Sequence, residues 1–198
     1  MTAADPLLLR LRHVLAGAVG QAGGDGIAAN GAPIPAAVLI PVVVRDSGPT
    51  VLLTKRTAHL NDHAGQVSFP GGRCEPDDRD RIHTALRESH EEVGLAVAQV
   101  EVIGTLPEYL TGTGFSVTPV VGLVTPPLNL ALDDFEVAEV FEVPLPWLMT
   151  AAHWRRDTLE WQGCQRQYWA ADWQGYYIWG ATAGMLVNLM ELLREQEP

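Results

Sequence analysis

Two cysteines, Cys74 and Cys164, are all that the 198 residues contain. That is too few for a disulfide framework, and the expected setting is a reducing cytoplasm. Basic side chains are scarce as well. Thirteen Lys and Arg against 24 Asp and Glu leave a net charge of −11. A surface so acidic argues against nucleic acid as a partner, because phosphate backbones are bound by clustered Lys and Arg. Long apolar runs are missing too. Stretches such as Ala36 to Val44 are too short to cross a bilayer. Leu7-Leu8-Leu9 is broken up by Asp5, Arg10, Arg12 and His13, so it does not read as a secretory signal. No membrane partner is expected.

What remains is an ordinary apolar content of 47% and a mean hydropathy of +0.06, enough for one domain with a sizeable core. Residues 6 to 19 read as a short amphipathic helix, and Gly20 to Pro35 as a loop on the surface. Together they form an N-terminal segment, residues 1–35, belonging to the same domain as 36–195. Strands are expected at Ala37 to Val44, Val51 to Thr54, Val97 to Leu106, Ser116 to Thr125 and Glu139 to Val143. A short extended piece, Gln66 to Phe69, stops at Pro70-Gly71-Gly72. A helix with an acidic start at Asp77 to Asp80 runs to about Val93, with Gly94 placed to cap it. Pro144 to Ala151 starts a helical turn, Trp154 to Trp173 forms a hairpin, and Ile178 to Glu195 is a final helix. The pattern is mixed α/β, without repeats or linkers.

The chemistry concentrates in Arg87-Glu88-Ser89-His90-Glu91-Glu92-Val93-Gly94-Leu95. On a helix, Glu88, Glu91 and Glu92 lie within about 100° of arc, beside the face formed by Ile82, Ala85, Leu86 and Val93. Like charges at this spacing repel by about 0.2–0.5 kcal/mol per pair. Hard divalent cations such as Mg²⁺ or Mn²⁺ relieve that repulsion, since they prefer oxygen ligands and complete their shell with water and phosphate. Arg87 can reach Glu91 at i,i+4. The competing reading is a solvated, salt-bridged helix face. Upstream, Gly65-Gln66-Val67-Ser68-Phe69-Pro70-Gly71-Gly72 places two glycines where the main chain can approach a ligand closely. A strand, a Gly-Gly turn, an acidic loop and a carboxylate helix, in that order, build a site for cation-bound phosphate.

Gly72 through Leu95 resembles the Nudix box: a glycine, an acidic loop, then Arg-Glu-apolar-x-Glu-Glu-x-Gly-apolar. Ser89 stands where an apolar residue is usual, and the gap from Gly72 to Arg87 is one residue longer than the commonest form. Asp77 or Asp78 stands nearest to the loop glutamate of the pattern. Leu52-Leu53-Thr54-Lys55-Arg56-Thr57, Leu60, His63 and Gly65 through Gly72 resemble the signature of the coenzyme A pyrophosphatase branch. Thr113 through Val120 and Ile178 through Ala183 look like further segments of that branch.

The resemblance implies a Nudix-type α/β/α sandwich with a mixed β-sheet. It also implies hydrolysis of coenzyme A to 4′-phosphopantetheine and adenosine 3′,5′-bisphosphate. Glu88, Glu91 and Glu92 would be the metal ligands, helped by a backbone carbonyl at Gly71 or Gly72, with Arg87 beside them. Arg56 and Lys55 are candidates for the substrate's phosphates, and Gln66 for fixing the turn or touching the substrate. The base is left open among the box glutamates, Glu136 and Glu139. His63 and His90 read as structural, and Cys74 as an incidental thiol. Trp154, Trp161, Trp169, Trp173 and Trp179 read as core or interface. A homodimer is consistent with that Trp-rich segment.

Overall fold

A computed structural model describes residues 5–17, 23–25, 32–59, 64–161 and 164–195. Leu60 and His63, and the side chains of Trp161 and Cys164, lie outside that description. In chain order the elements are α1 (Pro6–Ala16), β1 (Gly23–Gly24), β2 (Ile34–Arg45), β3 (Gly48–Arg56), β4 (Val67–Ser68), β5 (Gly71–Arg73) and α2 (Arg81–Val93). They continue with β6 (Val100–Thr105), β7 (Tyr109–Leu110), β8 (Phe115–Val124), β9 (Val137–Pro144) and α3 (Leu145–Leu148). The hairpin β10 (Arg155–Trp161) and β11 (Cys164–Trp173), then β12 (Tyr176–Trp179) and α4 (Gly180–Glu195), are the last of the described elements.

Among the described residues, nine strands make one sheet along the path β1-β7-β8-β2-β3-β4, with β5 on β2, β6 on β8 and β9 on β3. The sheet is mixed: β2 pairs β8 in parallel and β3 antiparallel. Alternation along β2 sends Ala36, Ile40 and Val42 to one core and Ala37, Leu39 and Val43 to another. Strands buried on both faces need unbroken apolar runs rather than alternating ones, which is what residues 36 to 44 supply. The larger core holds α1 and α4; Leu11 and Val14 of α1 and Leu186 and Leu189 of α4 are wholly buried in it. The smaller core holds Ala85 and Val93 of α2. The architecture is an α/β/α sandwich with a separate three-stranded antiparallel sheet, β10-β11-β12, against α4.

α2 is bounded as its sequence requires. Asp80 caps its start, the carboxylate accepting from the His83 N–H at 2.8 Å, and Gly94 closes it in the left-handed conformation at φ 69°. The expected loop from Gly20 to Pro35 needs correcting at two places. Gly23-Gly24 pairs with Tyr109-Leu110, and β2 already begins at Ile34. The final helix starts later than expected, because Ile178 and Trp179 pair with Ala171 and Ala170 in the small sheet. Gly71-Gly72 lies in a strand, opposite Val38 and Ala37.

Candidate active site

The last two turns of α2 present the three glutamates in three different environments. Glu92 is only 6% exposed, and the Gly71 N–H donates to its Oε2 at 3.1 Å. Glu88 lies against Gly72 so closely that a Cβ there would stand 2.5 Å from the carboxylate. A side chain at position 72 would therefore have to push the Glu88 carboxylate out of its place. Glu91, 56% exposed, accepts from Arg87 Nη1 at 2.8 Å, as its i,i+4 spacing predicts. Burial raises the Glu88 carboxyl above its ordinary range and pushes Glu92 up to about 8. At Glu92 the nearby charges of Glu136 and Glu88 add to burial, while the Gly71 N–H and Arg56 pull the other way.

Arg87 spreads its donors over four partners. Nε and Nη2 each donate to the Asp78 carboxylate at 3.0 Å, Nη2 also to the Arg73 carbonyl at 3.2 Å, and Nη1 reaches Glu91 and Glu88. Asp78 is buried and accepts as well from the Glu75 N–H and the Thr84 hydroxyl. Of the two loop acids, Asp78 is therefore the one that anchors Arg87, while Asp77 is exposed. The serine at the usual apolar position, Ser89, is buried and donates to the Ala85 carbonyl at 2.6 Å. That bond satisfies its hydroxyl within the helix. His90 is exposed, and Cys74 accepts from Arg81 and Thr84.

Across from Glu92, at the end of β3, Arg56 lies 3.9 Å from Glu92 and 3.8 Å from Glu136. Its Nε is buried and finds no partner among the described residues. A guanidinium left with an unmade buried bond is suited to an incoming anion. Thr57 ties this end of β3 to the loop before β9. Its N–H donates to the Glu136 carbonyl at 3.0 Å and its hydroxyl to the Phe135 carbonyl at 2.7 Å.

Lys55 and Glu139 lie on the other face. They stand opposite each other in the β3–β9 pairing. The Lys55 ammonium sits 5.9 Å from the Tyr176 ring, and Glu139 raises the pKa of the Tyr176 phenol. Thus Arg56, Glu136 and the three helix glutamates share one face of the sheet, and Lys55, Glu139 and Tyr176 the opposite one. Gln66 sits between them, its carbonyl accepting from the Arg56 N–H at 2.9 Å. The tryptophans divide as well. Trp154 is buried and donates to the Leu148 carbonyl, Trp169 and Trp173 pack against the larger core, and Trp179 lines a groove beside Lys55.

Among the described residues, no three His, Cys, Asp or Glu side chains are already gathered into a metal cage. The donor set still fits a hard divalent cation. All its ligating atoms are oxygens, and two of the three carboxyls are held in burial that disfavours their charged form until a cation compensates. Among the described residues, no helix is long and apolar enough to cross a membrane.

Comparison with known proteins agrees with this geometry. The NUDIX domain model matches residues 33–162. Proteins named uncharacterized Nudix hydrolase NudL are similar over 154 residues: one from Enterobacter sp. (strain 638) is 44% identical, and one from Escherichia coli (strain K12) 43%. Each alignment covers 78% of this chain and 80% of the relative. The crystal structure of the MutT protein from Methanosarcina mazei Go1 shares the fold with a TM-score of 0.54 at 17% identity, covering 86% of this chain and all of that one. A family model across two-thirds of the chain, laid over a carboxylate helix, a Gly-Gly strand and an anchored arginine, makes this protein a member of the Nudix hydrolases, pyrophosphohydrolases of nucleoside diphosphate derivatives that generally use divalent metal ions.

Proposed function

We propose that the chain hydrolyses the diphosphate of coenzyme A or its derivatives with Mg²⁺ or Mn²⁺, giving 4′-phosphopantetheine (or its acyl form) and adenosine 3′,5′-bisphosphate. The observation that carries the reading is Arg56, a half-satisfied guanidinium suspended between Glu92 and Glu136 at the end of β3. It belongs to the Leu52–Gly72 signature, which resembles the coenzyme A branch. A cation held by Glu88, Glu91 and Glu92, with a carbonyl of Gly71 or Gly72, would supply charge neutralisation and a more acidic water.

The chain's own groups do the rest. Arg56 clasps phosphate oxygens bidentately and holds one phosphorus facing the attacking water. Glu136, beside Arg56 and close enough to perturb Glu92, takes the water's proton as oxygen bonds to phosphorus. The bridging P–O bond breaks, and its electrons leave with the other phosphate. Arg87, fixed by Asp78, keeps Glu91 and Glu88 in position. Glu139, on the opposite face, is assigned no proton transfer.

A panel of coenzyme A, ADP-ribose, a nucleoside triphosphate and a dinucleoside polyphosphate tests the reading, with Mg²⁺, Mn²⁺ and a chelator control. Coenzyme A is expected to give the highest kcat/KM and chelator to abolish it. Faster cleavage of another member reassigns the substrate within the family. Binding without any turnover overturns the enzymatic reading altogether.

A further inference from the structure

A groove lies behind the end of β3. This cavity of about 340 Å³ is lined by Lys55, Gln66, Tyr176, Tyr177 and Trp179, with Ala64, Gly65, Val67 and Gly175 as its small-residue wall.

Three facts give the groove a chemistry. First, Lys55 is the only lysine in the sequence, and it has no ion-pair partner among the described residues. Glu139 stands opposite it in the strand pairing without coming within ion-pair distance. An unpaired ammonium in a protein of net charge −11 is a local exception to the field around it. Second, the other large side chains are aromatic. Tyr176 is stiffened by stacking on Phe141 at 3.7 Å, and Trp179 packs edge-on against Tyr168 at 5.3 Å. Fixed aromatic faces suit a planar base. Third, the groove adjoins the arginine site. Successive residues of β3 point Arg56 toward the glutamates and Lys55 into the groove, and Gln66, bonded to the Arg56 backbone, lines the groove's edge.

We propose that this groove is a subsite for the nucleotide half of the substrate, with the base against its aromatic wall and a phosphate monoester on Lys55, so that the substrate folds around the end of the sheet. The inference rests on the coenzyme A reading above for its substrate. There the monoester is the 3′-phosphate, and Lys55 becomes the residue that separates substrates bearing it from those lacking it. The mixed cavity suits such a ligand. It offers one point charge for the monoester and room comparable to small-ligand pockets.

Direct binding tests this without requiring turnover. Calorimetric titration of the full chain with adenosine 3′,5′-bisphosphate and with adenosine 5′-phosphate is expected to show the bisphosphate binding about tenfold more tightly. Lys55→Met, which keeps the apolar stem, is expected to erase that ratio, and Lys55→Arg to restore most of it. In turnover, the Met variant should raise KM for coenzyme A about tenfold with kcat within threefold, and change dephospho-coenzyme A by less than threefold. Equal wild-type affinity for the two nucleotides, or a ratio that survives Lys55→Met in a normally folded protein, overturns the subsite. Absence of turnover with a preserved binding ratio instead counts against the hydrolytic reading while leaving the groove assignment standing.

Discussion

The two helical faces of the sheet are built on opposite principles. α4 buries nine of its 16 residues, almost all apolar, and joins α1 in the larger core. α2 gives the smaller core little more than Ala85, Val93 and the flanking Ile82 and Leu86, and its remaining positions are polar or charged, three of them glutamates. Among the buried residues of α2 is a glutamate that burial disfavours as a charge. Burial of apolar area stabilises by about 25 cal/mol per Å², so the α4 face carries stability. The α2 face gives some of it up to hold a ready site. The lesson is a separation of duties across one sheet: substitutions on the two faces should injure different properties.

The largest expected effect falls on the α2 face. Glu92→Gln should lower turnover of coenzyme A by about a thousandfold or more, roughly 4 kcal/mol in barrier height, while the melting temperature stays level or rises. A matching loss of thermal stability would break the contrast between the faces. Next comes α4. Leu189, wholly buried, becomes a cavity in Leu189→Ala, costing about 2–5 kcal/mol in a urea melt. Its kcat/KM at low temperature should remain within a few-fold, and a selective loss of activity instead would place α4 in the chemistry.

Asp78→Asn sharpens the comparison because Asp78 serves both properties. Hydrogen bonds from Arg87 hold the Asp78 carboxyl well below the usual range, against the pull of burial. A carboxyl lowered in the folded state stabilises at pH values above its unfolded pKa of about 4. That contribution is lost as pH falls toward the folded-state value. The wild type should therefore lose stability on acidification more steeply than Asp78→Asn. At neutral pH the variant should be less stable by about 2 kcal/mol, the scale of charged hydrogen bonds. Chemical denaturation between pH 3 and 7 reads both, and parallel acid limbs would show that Arg87 does not depend on Asp78.

Much of this was legible in the residues, and the failures have physical reasons. α2 was readable from end to end because its acidic start, carboxylate spacing and terminal glycine are all local signals. The long strands announced themselves as apolar runs. Gly23-Gly24 and Gly71–Arg73 did not, since glycines carry no alternation and such short strands exist only where a neighbour supplies the hydrogen bonds. Ile178 and Trp179 merged with the helix after them because an apolar run continues through both elements. The choice between Asp77 and Asp78 could not be made locally, because adjacent residues differ only in which way the folded loop turns them. Period-two alternation along β3 did carry the separation of Lys55 from Arg56. Grouping them by charge concealed it.

Thr57 links positions that lie far apart along the chain. With two bonds to the loop at Phe135 and Glu136, it makes that loop and the tip of β3 travel as one piece. Arg56 and Glu136, 3.8 Å apart, are therefore tied to one another through the backbone as well as through their charges. A substitution that cuts either bond, such as Thr57→Val for the hydroxyl, would loosen that spacing without touching either charged group.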